Sequence, residues 1–291
     1  MNDGTEDHSM EMIADIIKKH KNISVIEQKN LSLSVARNNG IAKSIGEYIL
    51  MPDSDDLLID NSLPTLLEKA LEIKPDLIVA DFLEMSNEEI LKFQGIIQND
   101  TTFKEKTGEQ LLLEDLNPYQ CYVWRTLFRR DFLLGNKLSF VPGIRYQDVP
   151  FTHECYIKAK KCLRTHRLLN IYRRRPSSST LSFNKKKAMD YCVVIGKTWD
   201  LTQMKNLPND VLQKIKDDVY TTFSLFIYSM LHTIKDQSSR MQIIRRLNQE
   251  TPSLKFSNGI KQKIETFLFK KMPYLYIIIR ELHWKWIHRH H

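Results

Sequence analysis

The chain has 291 residues, which is enough to bury one sizeable hydrophobic core and a second, smaller one. Its formal net charge of +8 conceals an asymmetry, because residues 1–100 contain 9 Lys and Arg against 19 Asp and Glu, whereas residues 101–291 contain 34 against 16. A basic second part suits phosphate-bearing substrates, anionic membrane surfaces or nucleic acid. No recognised nucleic-acid-reading motif accompanies the charge, so we expect no nucleic-acid partner.

Cysteine spacing and hydropathy indicate the compartment. The four cysteines have no paired metal-ligand spacing, which favours a reducing cytosol. No apolar run reaches the roughly 18 residues that a membrane-spanning helix needs, and the segment after Met1 lacks the regions of a signal peptide. We therefore expect a cytoplasmic protein that is soluble or peripheral to a membrane.

Apolar periodicity predicts alternating helices and strands in the first part of the chain. Helical spacing occurs over residues 10–20, 34–42 and 62–72, and strand-like patterns occur over residues 23–26, 48–51 and 76–80. Strands that alternate with helices of this length indicate an α/β fold with a mostly parallel sheet.

The pattern changes in the second part. Residues 88–94 predict an edge strand, and residues 107–135 return to helical periodicity. A polar, turn-rich segment at residues 176–180 closes the first unit, and only helical periods follow it. The sequence therefore predicts a domain over residues 1–180 and a helical, basic region over residues 181–291.

One junction carries more functional information than the rest of the chain: the apolar residues 48–51 run into Asp53, Asp55 and Asp56. Open α/β sheets bind ligands at the C-terminal ends of their strands. Clustered carboxylates repel one another unless a cation neutralises them, and Mg²⁺ or Mn²⁺ suits oxygen ligands and substrate phosphates. The alternative is a solvated turn in which Asp56 or Asp60 caps the next helix.

Seven short segments in a fixed order have to be explained together. They are residues 2–7, 36–40, 46–48, 53–56, 123–130, 146–151 and 172–178. The first reads Asn-Asp-Gly-Thr-Glu-Asp, the fourth Asp-Ser-Asp-Asp and the last Tyr-Arg-Arg-Arg-Pro-Ser-Ser. In this order and spacing they resemble the family 2 glycosyltransferases, inverting enzymes of the GT-A fold that use nucleotide-diphosphate sugars. The resemblance covers roughly residues 1–180 and implies a GT-A catalytic domain there.

The resemblance implies roles for several acidic residues. Asp55 matches the aspartate that binds the metal, and Asp53 matches the first DxD carboxylate, near the ribose or as a further metal ligand. Asp3 falls in a loop that hydrogen-bonds the base, usually uracil. Asp148 matches the base that takes the proton of the acceptor hydroxyl, although the family usually has Glu where this chain has Gln147. From the residues alone, Asp3 and Asp148 can also be helix caps.

Basic residues match the family as well. Arg37 falls where members place a cation close to the diphosphate, and Arg173, Arg175 and Ser178 lie in a segment that resembles a flap over it. A guanidinium group suits both places, because its fixed set of donors matches phosphate oxygens. The alternatives are an exposed helical Arg37 and an arginine run that forms a solvated face.

The sequence departs from the family at its start, where members have a strand, a helix and a second strand before the loop that contains Asp3. Such a unit takes roughly 30 residues, and none precedes Asp3. We therefore expect an N-terminally truncated chain with an incomplete nucleotide pocket.

The leading hypothesis is a hexosyltransferase-type enzyme that moves a sugar from a nucleotide-diphosphate donor, a UDP-sugar in particular, to a saccharide or lipid-linked acceptor, with Mg²⁺ or Mn²⁺ as cofactor. Bacterial cell-surface polysaccharide synthesis would fit. The basic, aromatic residues 267–286 predict contact with the inner face of the cytoplasmic membrane; a covering role on the catalytic domain or a partner subunit is the alternative. Two other functions remain open: an inactive remnant that acts as a binding module, and a dehalogenase-like phosphatase with Asp53 as nucleophile and Asp55 as acid.

Overall fold

A computed structural model describes residues 1–95, 102–175, 182–256 and 259–287, with the side chains of the last range described up to residue 283. Over these residues a six-stranded sheet is flanked by helices and followed by a helical C-terminal part. The strands are β1 (Tyr48–Ile49), β2 (Leu57–Leu58), β3 (Leu77–Ser86), β4 (Lys104–Lys106), β5 (Thr126–Arg129) and β6 (Cys162–Arg174).

The sheet is mixed. Strands β3 and β6 form a long parallel pair at its centre. Strand β5 pairs antiparallel with both β1 and β3, while β2 and β4 pair antiparallel with β6. The order across the sheet is therefore β1-β5-β3-β6-β2, with β4 also on β6. Because β1, β3 and β6 run in the same direction, their C-terminal ends lie along one edge of the sheet.

The predicted α/β class is confirmed. The prediction of a mostly parallel sheet is wrong, because most neighbouring strands pair antiparallel. Strands β1, β3 and β6 do run in one direction, yet β5 enters between β1 and β3 in the opposite one. This strand lies in residues 107–135, where the sequence predicts only helix. Thr126, Leu127 and Phe128 are all buried, so the strand lacks the alternation that distinguishes it from a buried helix.

Three predicted helices are confirmed, as are the strands that begin at Tyr48 and Leu77. The helices are α1 (Ser9–Lys19), α2 (Leu33–Lys43) and α3 (Ser62–Ile73). The strand predicted over residues 23–26 is wrong, since these residues form no strand and only the next residue, Glu27, makes an isolated bridge, with Asn2.

The predicted edge strand at residues 88–94 is also wrong. The Ser86 side chain accepts the backbone N–H of Glu89, and the Glu89 side chain accepts that of Ser86. This reciprocal capping box begins a short helix, α4 (Asn87–Leu91). The box is a Ser-x-x-Glu signature that is visible in the sequence.

The predicted helical C-terminal region is confirmed. The remaining helices are α5 (Gly108–Gln110), α6 (Arg130–Gly135), α7 (Asp148–Lys158), α8 (Lys185–Asp200), α9 (Asn209–Thr233), α10 (Gln237–Glu250), α11 (Gly259–Lys271) and α12 (Pro273–Ile287), with a π-helical turn at Leu111–Asp115 and 3₁₀ turns at Val123–Arg125 and Leu201–Gln203. In the described part of the chain, no helix combines the length and the apolar character needed to cross a membrane.

The hydrophobic core divides across the sheet. Alternate residues of β3 belong to different clusters, with Leu77 and Val79 in the larger one and Ile78 and Ala80 in the smaller one. Since successive strand residues point to opposite faces, the two clusters lie on opposite sides of the sheet. The smaller cluster packs against α3. The larger one continues through α7 into the C-terminal helices, which places α9 beside α7.

Candidate active site

Three carboxylates meet just beyond the C-terminal end of β1. One oxygen atom from each of Asp53, Asp55 and Asp56 lies within 4.8 Å of the others. Desolvation raises the pKa of Asp56 to about 6, and the charges of Asp55 and Asp53 add to the effect. Desolvation also raises the pKa of Asp53, although Arg37 opposes it. The apolar strand that ends in clustered carboxylates is therefore present as predicted.

Basic groups from two distant elements converge on this acidic cluster. Arg37, on α2, donates to Asp53 Oδ1 at 2.6 Å. Arg175, just after β6, pairs with Asp55. Arg173 contacts the cluster through its backbone N–H, which donates to Asp56 Oδ1 at 2.9 Å. Arg174 is directed elsewhere, with its guanidinium 3.5 Å from Glu89. Two of the three consecutive arginines thus touch the acidic cluster.

The acidic cluster has the chemical features of a divalent-cation site. Asp56 Oδ2 is buried, and it has no hydrogen-bond partner among the described residues. An orphaned carboxylate oxygen beside two further carboxylates is a suitable ligand for a hard cation. The capping alternative is wrong for Asp56 and Asp60, because Asn61 occupies the N-cap position of α3 and no side chain caps that helix.

Asp148 is the first residue of α7 and opens into a cavity of about 490 Å³ that Arg37 and Asp53 also line. Desolvation raises the pKa of Asp148 to about 6, with Asp53 adding to the rise and Arg37 opposing it. The N-cap residue is Gln147, which is buried, and no side-chain hydrogen bond caps the helix. The predicted alternative of a capping Asp148 is therefore not what the structure shows.

Arg37 lines two adjoining cavities. Its side chain is only 9% exposed, and its guanidinium lies 5.4 Å from the ring centre of Phe140. The alternative of an exposed helical arginine is therefore wrong. Arg37 and Asp53 line the cavity of Asp148 and also a second cavity of about 880 Å³, which Asp3 and Asp55 line as well. The four predicted aspartates and Arg37 thus line two adjoining spaces, whereas Arg173 and Arg175 line neither.

Asp3 holds a neighbouring loop in place. Its carboxylate accepts from Gln28 Nε2 at 2.6 Å, from the N–H of Leu31 at 2.9 Å and from the N–H of Ser32 at 3.2 Å. Burial alone would raise the pKa of Asp3, but these hydrogen bonds lower it. Asp3 does not cap α1, where Asp7 accepts the N–H of Ser9 instead.

Ser178, a predicted site residue, lies outside the described residues. Sequence reasoning also missed a group of aromatic side chains beside Asp148. The rings of Tyr122, Trp124 and Tyr172 stack with centroid distances of 4.8 to 5.8 Å, and all three line the cavity of Asp148. Trp124 and Tyr172 belong to two of the motif segments, but no sequence signal joins the three rings, because they come from a loop, a 3₁₀ turn and β6.

The fold and the acidic cluster define a protein of the GT-A class. TarS from S. aureus, residues 1–349 solved in complex with UDP-GlcNAc, superposes with a TM-score of 0.66 at 16% identity, covering 94% of this chain and 74% of that one. At an identity this low, the similarity is evidence of a shared fold only. The GT-A fold also excludes the alternative of a phosphatase with the dehalogenase-like fold.

Residues 1–133, a little under half of the chain, match the model of glycosyl transferase family 2. The uncharacterized glycosyltransferase EpsJ of Bacillus subtilis is 33% identical over 192 residues, which are 65% of this chain and 56% of EpsJ. The uncharacterized glycosyltransferase YibD of Escherichia coli is 28% identical over 204 residues, which are 66% of this chain and 57% of YibD. The chain thus spans a little over half the length of these two relatives.

Proposed function

We propose that the protein is an inverting glycosyltransferase that moves a hexose from a nucleotide-diphosphate donor, a UDP-sugar in particular, to an acceptor hydroxyl. The observation that carries the proposal is that Asp148, Arg37 and Asp53 line one cavity. The Asp148 carboxylate, with a pKa near 6, thus faces the same space as the Arg37 guanidinium group and the Asp53 carboxylate of the acidic cluster. Residues 1–180 would form the catalytic domain, and residues 181–291 a helical extension of it.

The donor would occupy the cavity lined by Asp3, Arg37, Asp53 and Asp55. Guanidinium groups suit the diphosphate because they bind phosphate oxygens in charge-assisted pairs. Arg37 would turn from Asp53 toward that diphosphate, and Arg175 would do so from Asp55. Asp3 would accept from the base with the lone pairs that its three present donors leave available.

Asp53, Asp55 and Asp56 would hold Mg²⁺ or Mn²⁺. When bound, such an ion supplies Lewis-acid stabilisation to the leaving diphosphate. The orphaned oxygen of Asp56 supports this assignment. Asp53 and Asp55 would leave their arginine partners to complete the ligand set.

Asp148 would act as the general base. Its carboxylate takes the proton of the acceptor hydroxyl while the hydroxyl oxygen bonds to the anomeric carbon. The bond from that carbon to the phosphate oxygen breaks, and the nucleotide diphosphate leaves with the electron pair. A base with a pKa about 1 unit below neutral is largely ionised at pH 7 and still basic enough to accept the proton. Attack on the face opposite the leaving group inverts the anomeric configuration.

The setting that we propose is bacterial cell-surface polysaccharide synthesis, at the inner face of the cytoplasmic membrane. Helix α11 supports the membrane contact, since its residues Ile260, Ile264 and Phe267 are 77%, 53% and 57% exposed. Their spacing of four and three residues puts them on one side of the helix. Lys261 and Lys263 in the same helix would favour an anionic surface.

The test is turnover and binding with a panel of UDP-sugars in the presence of Mn²⁺. We expect Asp55→Ala and Asp148→Ala to abolish sugar transfer and donor hydrolysis, because one removes a ligand of the cation and the other removes the base. Asp60→Ala is the matched control, since Asp60 is an exposed aspartate that lies outside the acidic cluster, just after β2. Unchanged turnover in both active-site variants would refute the proposal. Absence of UDP and Mn²⁺ binding in the unmutated chain would favour the binding-module alternative.

A further inference from the structure

Asp148 faces a third cavity, on the side away from the acidic cluster. This cavity has a volume of about 760 Å³ and lies between the catalytic part and helix α9; we name it the α9 cavity. Tyr122, Tyr146, Asp148 and Tyr172 line both the α9 cavity and the 490 Å³ cavity that contains Asp53. Asp148 therefore stands at the junction of the two spaces, where an acceptor hydroxyl would have to approach it.

The walls of the α9 cavity are aromatic and nearly uncharged. Six tyrosines and two phenylalanines line it, and helix α9 contributes Thr222, Leu225, Phe226, Tyr228, Ser229 and His232. Among the described residues that form these walls, Asp148 is the sole carboxylate and neither Lys nor Arg occurs. The adjoining 490 Å³ cavity differs, because Arg37, Arg145 and Lys186 line it.

We infer that the α9 cavity binds an uncharged saccharide as the acceptor, and that helix α9 selects it. This inference rests on the proposed function. Tyrosine offers an apolar ring face to the C–H groups of a sugar and a hydroxyl to its polar groups. A site lined by aromatic side chains with a few polar groups is typical of small-molecule recognition. Tyr119 and Tyr228, at 51% and 42% exposure, present the most accessible rings.

The same walls disfavour an acceptor that carries phosphate. An anion enclosed beside the Asp148 carboxylate would need a compensating cation, and burying a charge without one is costly. Among the wall residues that the structure describes, only His232 could supply a positive charge. The acceptor hydroxyl that reaches Asp148 therefore belongs to a neutral sugar ring rather than to a polyol phosphate.

Helix α9 is fixed relative to Asp148 by a buried polar network. His153, on α7, has Nδ1 at 2.8 Å from the carbonyl oxygen of Val149 and Nε2 at 3.1 Å from Asp218 Oδ2 on α9. Lys214 donates to the other oxygen of Asp218 at 2.6 Å. Helices α7 and α9 thus hold one geometry, so the wall that α9 supplies has a set distance from the base.

The experiment measures saccharide binding by the full chain with saturation-transfer NMR, using cellobiose, lactose, N,N′-diacetylchitobiose and glycerol phosphate as probes. We expect at least one neutral disaccharide to bind and glycerol phosphate not to bind. Tyr228→Ala should weaken disaccharide binding about tenfold, since truncating a central aromatic contact has effects of this size. Tyr228→Phe should retain binding within about threefold, because it keeps the ring. Tyr274→Ala, an exposed tyrosine on α12 that does not line the cavity, is the control and should change nothing.

Three outcomes overturn the inference: no neutral disaccharide binds, glycerol phosphate binds in preference to the neutral sugars, or Tyr228→Ala binds them as tightly as the unmutated chain. Titration of UDP with Mn²⁺ into the same samples reports separately on the proposed function. Loss of UDP binding together with retained disaccharide binding would contradict the glycosyltransferase proposal and leave the saccharide site standing. Retained UDP binding without disaccharide binding would contradict the saccharide site and leave the glycosyltransferase proposal standing.

Discussion

The pH dependence of sugar transfer gives the sharpest test of Asp148 as the base. Two carboxyl groups near the reaction centre, those of Asp148 and Asp56, have a pKa of about 6, raised in both by desolvation. Only Asp148 lies where an acceptor can reach it from the α9 cavity. We therefore expect the acidic limb of the pH profile to follow Asp148 and not Asp56.

The size of the effect follows from the pKa. With a pKa of about 6, roughly nine-tenths of Asp148 is ionised at pH 7, half at pH 6 and about one-tenth at pH 5. The value of kcat/KM should therefore fall about tenfold between pH 7 and pH 5. Removal of a general base usually costs about 10² to 10⁴ in rate, so Asp148→Asn should retain at most about 1% of the activity.

The assay is UDP release from a UDP-sugar at saturating Mn²⁺, measured between pH 5 and pH 8 for the unmutated chain, Asp148→Asn and Asp56→Asn. We expect Asp56→Asn to keep the acidic limb near pH 6, and Asp148→Asn to lose it along with the rate. If Asp56→Asn removes the limb while Asp148→Asn keeps it, the assignment of the base is refuted.

Protein stability checks the same pKa without catalysis. A folded-state pKa of about 6 lies above the ordinary value of 3.8, so the folded state holds its proton more tightly than the unfolded one. The contribution of Asp148 to stability is therefore fully present below about pH 4 and is lost as the pH rises to about 6. The loss is at most about 3 kcal/mol, and partial exposure makes it smaller. In Asp148→Asn the free energy of unfolding should change less over this interval.

Three further predictions concern the cation, the core and the donor side. Asp55→Asn should weaken Mn²⁺ binding about 10- to 100-fold, a typical cost of disturbing a metal site; calorimetry with UDP present measures this, and Asp60→Asn should bind normally. Asp218→Ala should lower the free energy of unfolding by about 3 kcal/mol, because it leaves the buried His153 and Lys214 without their carboxylate partner. Urea denaturation measures this, and a change below about 1 kcal/mol would contradict it. Arg37→Met should shift the acidic limb of the pH profile upward, since the Arg37 charge lowers the pKa of Asp148; a downward shift would contradict it.

Local patterns were sufficient to predict the acidic half of the site. Tyr48 and Ile49 form the strand, and Asp53 and Asp55 follow it within a few residues, so their proximity depends only on short-range geometry. The resemblance of residues 146–151 to the family segment marked Asp148. The partner of each carboxylate could not be derived, because Arg175 lies 120 residues from Asp55 and meets it only through the sheet.

Strand β5 shows the same limit in the fold. Its inward and outward residues are both buried, so its hydrophobic pattern is that of a buried helix as much as of a strand. Its place between β1 and β3 depends on long-range pairing, such as that of Ile49 with Phe128. This strand contributed to the error in the predicted sheet, whereas helix α3, between β1 and β3, was predicted correctly.

The acceptor side was beyond sequence reasoning for a related reason. Tyr122, Tyr146, Tyr172 and Tyr228 come from four separate segments; the first three are partly buried and the last is exposed, so none is unusual alone. They form one surface because the larger core cluster packs the C-terminal helices against α7 and the sheet. The family match ends at residue 133, before Asp148 and before α9. If helix α9 selects the acceptor, relatives that share the acidic cluster can differ in acceptor through this helix alone, without any change to the donor side.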